Sequence, residues 1–301
     1  MTLLHDIIRT RRLVCDGAMG TQLMLAGLEQ GACGEAWNLT HPDRVLAIQR
    51  RYVEAGADCI ITNTFGASRI GLAKYGLEKD LAAINRAGAR LAREAFGGKP
   101  GFVLGDIGPL GVLLEPYGDL SLVDASAALL EQAKELVAAG VDAVIIETQT
   151  ALEELGLAID AAKQAGAACI IGSVAFDRAP DGKSFRTMMG VSPEQAVEVI
   201  VAHGAHIVAL NCGAGMDMPA AAEVAALFRQ HCALPIMVQP NAGQPVLEQG
   251  RLVYRQLPAD MAKAVPAALA AGAAIVGSCC GSTPDHTRAI RAAVDAHAAA
   301  R

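Results

Sequence analysis

Five times along this chain a helix-like stretch runs into a glycine just before an apolar run: Ala55-Gly56-Ala57, Ala139-Gly140-Val141, Ala165-Gly166-Ala167, His203-Gly204-Ala205 and Ala271-Gly272-Ala273. Glycine stops a helix well because it accepts the left-handed backbone conformation without a Cβ penalty. The echo therefore marks a repeated helix-to-strand unit. Apolar, β-branched runs of strand type recur at Leu13 to Asp16, Cys59 to Thr64, Phe102 to Asp106, Ala143 to Glu147, Cys169 to Ala175, Ile207 to Cys212, Pro235 to Gln239 and Ala274 to Cys279. Between them, Pro42 to Ala55, Leu122 to Ala139, Leu152 to Ala165, Pro193 to His203 and Pro219 to Gln230 carry apolar residues at helical spacing. Strands that are apolar throughout and alternate with helices form a parallel sheet covered on both faces. Eight such units in 301 residues predict an α/β chain folded as one (β/α)8 TIM barrel over residues 1–301. An open doubly wound sheet would have fewer strands and a crevice where the strand order reverses. Pro266 is expected to start or kink the last barrel helix, since a proline inside a helix loses a hydrogen bond.

Composition narrows the function. A chain 52% hydrophobic but only 4% aromatic suits closely packed helices and strands. A net charge of -6 offers no basic footprint, which argues against nucleic acid and anionic membranes. Residues Met1 to Leu13 carry His5, Asp6, Arg9, Arg11 and Arg12, so no secretory leader is read there. The uncharged stretch Ala264 to Gly281 is broken by Pro266, Gly272 and Gly277, and reads as a buried helix and strand instead of a membrane span. Eight cysteines without an export signal imply a reducing, cytoplasmic setting, where clustered thiols point to metal or catalysis. Cys15, Cys59 and Cys169 fall inside apolar strands and read as small core residues; Cys33 and Cys232 are given no role.

A barrel of this kind gathers its active site at the C-terminal strand ends. Those ends hold Asp16, Thr62 to Phe65, Asp106, Glu147, Phe176 to Asp177, Cys212, Gln239 to Asn241, and Cys279 with Cys280. No histidine falls among them, and His206 precedes its strand on the opposite side, which argues against a histidine-based triad. Cys279 and Cys280 end a strand and face the turn into a helix begun by Ser282-Thr283-Pro284-Asp285. Cys212 closes another apolar strand in the same way. Three thiolates on one Zn²⁺ would leave net charge near -1 and one open position, the mark of a catalytic zinc. The plainer alternatives are three buried thiols, or a strained disulfide between Cys279 and Cys280.

The motifs on those ends are Asp16-Gly17-Ala18-Met19-Gly20-Thr21, Thr62-Asn63-Thr64-Phe65, Gly105-Asp106-Ile107-Gly108-Pro109, Glu147-Thr148, Asn211-Cys212, Pro240-Asn241-Ala242-Gly243 and Gly277-Ser278-Cys279-Cys280-Gly281. In that order the chain resembles the homocysteine S-methyltransferase family of zinc-dependent barrels. Within it, the likeness leans to the homocysteine-binding module of cobalamin-dependent methionine synthases, through Thr62 to Gly76 and Gly105 to Gly118. One departure stands out: the family has two glycines before the cysteine pair, and here the second is Ser278.

The resemblance implies zinc on Cys212, Cys279 and Cys280, with Asn241 in the fourth position when substrate is absent. It implies that Asp16 and Glu147 grip the ammonium of homocysteine. The small residues from Gly17 to Thr21 can turn backbone N–H groups toward its carboxylate. Asn63, Thr64 and Phe65 are expected to wall the pocket, and Trp37 is expected to serve packing. The expected reaction is methyl transfer to the homocysteine thiol, giving methionine. The expected donor is methylcobalamin on a corrinoid protein, supplied by another chain or by a longer protein of which this is a part. S-methylmethionine or another small onium donor is the alternative, with betaine disfavoured for want of an aromatic cage. A zinc- or thiol-binding protein without turnover is the remaining rival.

Overall fold

A computed structural model describes residues 3–248 and 251–299. Its centre is a ring of parallel strands: β1 (Leu13–Val14), β2 (Cys59–Ile61), β3 (Phe102–Ile107), β4 (Ala143–Gln149), β5 (Ile170–Val174), β6 (Ile207–Asn211), β7 (Ile236–Gln239) and β8 (Ala273–Val276). Strand order runs β1-β8-β7-β6-β5-β4-β3-β2. A parallel bridge from Cys15 to Cys59 joins the two ends of that order, so the sheet closes on itself. Each strand is followed by a helix: α1 (Pro42–Glu54), α2 (Leu81–Ala95), α3 (Leu122–Ala138), α4 (Leu152–Gln164), α5 (Pro193–Ala202), α6 (Met218–His231), α7 (Pro258–Ala270) and α8 (Pro284–Ala299). The expected (β/α)8 barrel is the observed one.

Local chemistry sets the units. All five echo glycines, Gly56, Gly140, Gly166, Gly204 and Gly272, have positive φ and end their helices in the left-handed region. Ser192 opens α5 with a capping box closed by Gln195, and Asp217 caps α6 by accepting from the Ala220 N–H. Pro266 does not start a helix: α7 begins at Pro258 and carries Pro266 in its interior. The uncharged stretch from Ala264 divides between α7 and β8, and among the described residues no helix is long and apolar enough to cross a membrane.

The twofold alternation of strand side chains divides the core in two. Leu13, Cys15, Cys59, Ile61, Leu104, Ile145, Ile171, Ala209, Met237 and Ile275 pack together in the lumen, with Leu4 and Ile8 from the N-terminal segment against them. Val14, Val144, Val174, Val208, Leu210, Val238 and Val276 point outward into the helix layer. Cys15, Cys59 and Cys169 are lumen filling, as expected. Two residues beyond the lumen positions Leu104, Ile145, Ile171, Ala209 and Met237 come Asp106, Glu147, Ser173, Asn211 and Gln239. Alternation returns them to the same side, so an apolar plug ends in a polar layer at the C-terminal rim.

Candidate metal centre and pocket

Cys212 follows β6 with φ 53, a left-handed conformation that costs a residue with a Cβ. Gly213 continues the turn at φ 88, and a Cβ there would lie 1.8 Å from the Phe176 carbonyl oxygen. Only glycine lets the chain turn so tightly, and the turn aims Cys212 at the β8 end. Cys279 is held by its N–H to the Pro240 carbonyl at 2.7 Å, and the Cys280 carbonyl accepts from Ala242 N–H at 2.9 Å. The three sulfurs lie within 4.8 Å of one another, Cys212 to Cys280 at 3.8 Å and Cys279 to Cys280 at 3.9 Å. These are no disulfide lengths, since S–S bonds are about 2.0 Å. Sulfurs on a tetrahedral zinc, each about 2.3 Å from the metal, stand about 3.8 Å apart.

The surroundings fit a cation. Asn241 adjoins Cys212; its Nδ2 donates to the Gly213 carbonyl at 2.9 Å, while its Oδ1 is buried with no hydrogen-bond partner. Asn241, whose side chain reaches Cys212, thus carries an unused amide oxygen, a donor type that a metal accepts. Without one, the thiols share charge among themselves: hydrogen bonds from Cys279 and Cys280 push Cys212 down to about 3. The same contacts push Cys280 up to about 12 and Cys279 well above the usual thiol range. Asn211 Nδ2 points at Cys279 Sγ from 4.0 Å, and its Oδ1 accepts from Ser173 Oγ at 2.7 Å and Thr148 N–H at 3.0 Å.

The carboxyls come next. Asp16 is buried; Oδ2 accepts from Ile61 N–H at 2.9 Å and Oδ1 from the Cys15 thiol at 3.3 Å. Burial pushes its acid up to about 8. Glu147 is pushed up to about 7, by burial first and then by the charge of Cys212. Gly17 must be bare: a Cβ would fall 2.5 Å from Ser282 Oγ and 2.9 Å from Ser278 Oγ. The Ser278 hydroxyl, the departure flagged in the sequence, therefore lies against Gly17, buried and without a partner.

The expected pocket wall is less uniform. Asn63 Nδ2 donates to Gly34 O and Asn38 Oδ1, tying down the segment before α1. Thr64 Oγ1 meets Thr62 Oγ1 and donates to the Asp106 carbonyl at 2.8 Å, and its methyl sits against Gly88 of α2. Its side chain thus serves the barrel wall. Phe65 stands over Gly108, partly exposed at the rim, while Trp37 is buried in a helix-layer cluster. Tyr254, which no sequence signal marked, packs on Gly281 and adjoins Cys280; burial and then that thiol's charge raise its hydroxyl. Asp106 and Gln239, placed on the rim by the sequence but given no role there, each lie two residues on from a lumen position.

The profile of the family described as homocysteine S-methyltransferase matches residues 13–294. The methionine synthases of Mycobacterium tuberculosis and Mycobacterium leprae are each 33% identical to the chain over 97% of its length. The chain spans 25% of those proteins. Among solved structures, the metallated homocysteine methyltransferase MmuM of Escherichia coli superposes with a TM-score of 0.79 at 22% identity, covering 96% of this chain and 99% of that one. The carboxyl transferase domain of Rhizobium etli pyruvate carboxylase shares the fold more loosely, with a TM-score of 0.54.

Proposed function

Because the chain belongs to the homocysteine S-methyltransferase family, we propose that it transfers a methyl group to the thiol of homocysteine, with zinc held by Cys212, Cys279 and Cys280. The observation that carries this reading is the sulfur cluster, spaced as a tetrahedral zinc requires, with Asn241 and its unpartnered oxygen adjoining Cys212. A free thiol is only a few per cent thiolate at neutral pH, and zinc, when bound, supplies its deprotonation. Asn241 would offer a fourth donor when no substrate is present.

The chain's own groups orient the acceptor. Asp16 and Glu147 hold its ammonium, and backbone N–H groups from Gly17 onward take its carboxylate. Phe65 shapes the wall beside them, on a segment that the side chains of Asn63 and Thr64 anchor to the barrel. Asn211 donates toward the Cys279 sulfur and holds it in place. The substrate thiolate then attacks the methyl carbon in line. A sulfur–carbon bond forms as the donor–carbon bond breaks, and that bond's electron pair stays on the donor.

The donor proposed is methylcobalamin carried by a corrinoid protein or module, as sequence likeness to the methionine synthases supports. A small onium donor such as S-methylmethionine is the second reading; the carboxyls of Asp16, Asp106 and Glu147, none of them in an ion pair with lysine or arginine among the described residues, favour a cationic guest. Zinc-loaded protein assayed with homocysteine against methylcobalamin, a methylcorrinoid protein and S-methylmethionine separates the two. Methionine formed from a corrinoid donor supports the first reading, and methionine from S-methylmethionine alone supports the second. Tight zinc binding with no product from any donor would leave a non-catalytic thiol-binding protein.

A further inference from the structure

The carboxyls at the top of the lumen differ in what already occupies their oxygens. Both oxygens of Asp16 accept hydrogen bonds. Asp106 is only 3% exposed, yet its Oδ1 has no partner. Its neighbour is the carboxyl of Glu147, and among the described residues neither group forms an ion pair with a lysine or arginine. The backbone holds Asp106 firmly: its N–H donates to Thr62 Oγ1 at 2.9 Å, and its carbonyl accepts from Thr64 Oγ1 at 2.8 Å and Gln132 Nε2 at 3.2 Å. Two positions beyond Leu104, it cannot turn to solvent without breaking the β3 end.

Gln239, 1% exposed in the same polar layer, also has an unpartnered oxygen, Oε1. The layer thus holds more acceptors than donors. A bare buried carboxylate oxygen is costly, and two adjoining carboxyls repel when both are ionised. Both costs fall when a cationic donor arrives. Zinc belongs with the sulfurs, so the remaining cation of the proposed reaction is an ammonium, whose three N–H bonds need several acceptors.

We propose that Asp106 is a further substrate-binding residue, joining Glu147 in a two-carboxyl clasp on the α-ammonium of the acceptor amino acid. The assignment rests on reading the site as homocysteine-binding. It gives the pocket a specificity for thiols that carry an amine. The Asp106 carboxyl acts on the amino group and leaves the sulfur to the cysteines.

The test is calorimetric binding of L-homocysteine and of 4-mercaptobutanoate, which keeps the thiol and carboxylate but lacks the amine, to zinc-loaded protein. In Asp106→Asn, homocysteine affinity should fall about tenfold or more while 4-mercaptobutanoate stays within about twofold. Zinc content and melting temperature should hold. Equal weakening of both thiols, or unchanged homocysteine affinity, overturns the proposal. Asp106→Ala carries the same comparison should the asparagine variant not fold. If the unmodified protein binds no homocysteine, the reading of the site fails and this inference with it. If it binds and the variants are indifferent, this inference alone fails.

Discussion

The two mouths of the barrel treat charge in opposite ways. At the N-terminal mouth the half-buried carboxylates Asp58 and Asp142 each have an arginine. Asp58 meets Arg11 and Arg291 and also accepts from Val14 N–H at 2.9 Å, and Asp142 meets Arg93 and accepts from Val103 N–H. His206 is there too, stacked on His5, with Nδ1 accepting from Ile170 N–H. At the C-terminal mouth, buried Asp106 and half-buried Glu147 form no ion pair with arginine or lysine among the described residues, and they stand near three thiols and the bare oxygens of Asp106, Gln239 and Asn241. Satisfied charges hold a fold together. Unsatisfied ones, tolerated at a cost, mark where a ligand completes the structure.

The sharpest way to break this contrast is Cys279→Ala. Zinc content should fall from about one per chain to near zero, and methyl transfer with it, by at least about a thousandfold. Far-UV circular dichroism should still report a folded barrel. Retained activity in metal-free protein would sink the metal assignment.

Asp58→Ala, at the other mouth, should do the reverse. Losing a half-buried carboxylate that serves two arginines and a backbone N–H should cost roughly 2–4 kcal/mol of stability, read by denaturant unfolding. Zinc content and the KM for homocysteine should not move. Gly213→Ala should couple the two behaviours, because the Phe176 carbonyl leaves its Cβ no room. Both stability and zinc affinity should drop, by about 2 kcal/mol or more in unfolding free energy.

Glu147→Gln tests the carboxyls more gently. It keeps the shape and removes the charge, so the homocysteine KM should rise about tenfold while kcat changes far less.

The smallest effect is in pH. Asp16 ionises at about 8 in the folded, metal-free chain, far above the usual carboxyl value near 3.9. The native state therefore keeps a proton that the unfolded chain has released. That stability is complete below about pH 4 and is lost as pH rises toward 8, by at most about 1.4 kcal/mol per pH unit. Melting temperatures of metal-free protein should decline across this window, and Asp16→Asn should flatten the decline. A slope unchanged in Asp16→Asn would show that other groups set it.

Much of this was open to reading in one dimension. Glycine stops, apolar runs and capping residues act within a few positions of themselves, so the eight units and the five left-handed glycines could be placed from spacing alone. The parallel run of the strands likewise put Cys212, Cys279, Asp16 and Glu147 on one rim, because every strand of such a barrel ends at the same face. Direction can still mislead at a strand's last residues. Thr64 reads as pocket wall, but its hydroxyl finds Thr62 and the Asp106 carbonyl, and its methyl finds Gly88.

Closure of the ring decided the rest. Whether a sulfur from β6 stands 3.8 Å from one after β8 depends on barrel stagger and on the left-handed turn at Cys212. The same holds for Asp106 beside Glu147 and for Tyr254 reaching Cys280 across the chain. Local forces choose helix, strand and stop, whereas distances between remote strand ends are set only when the packed core closes around them.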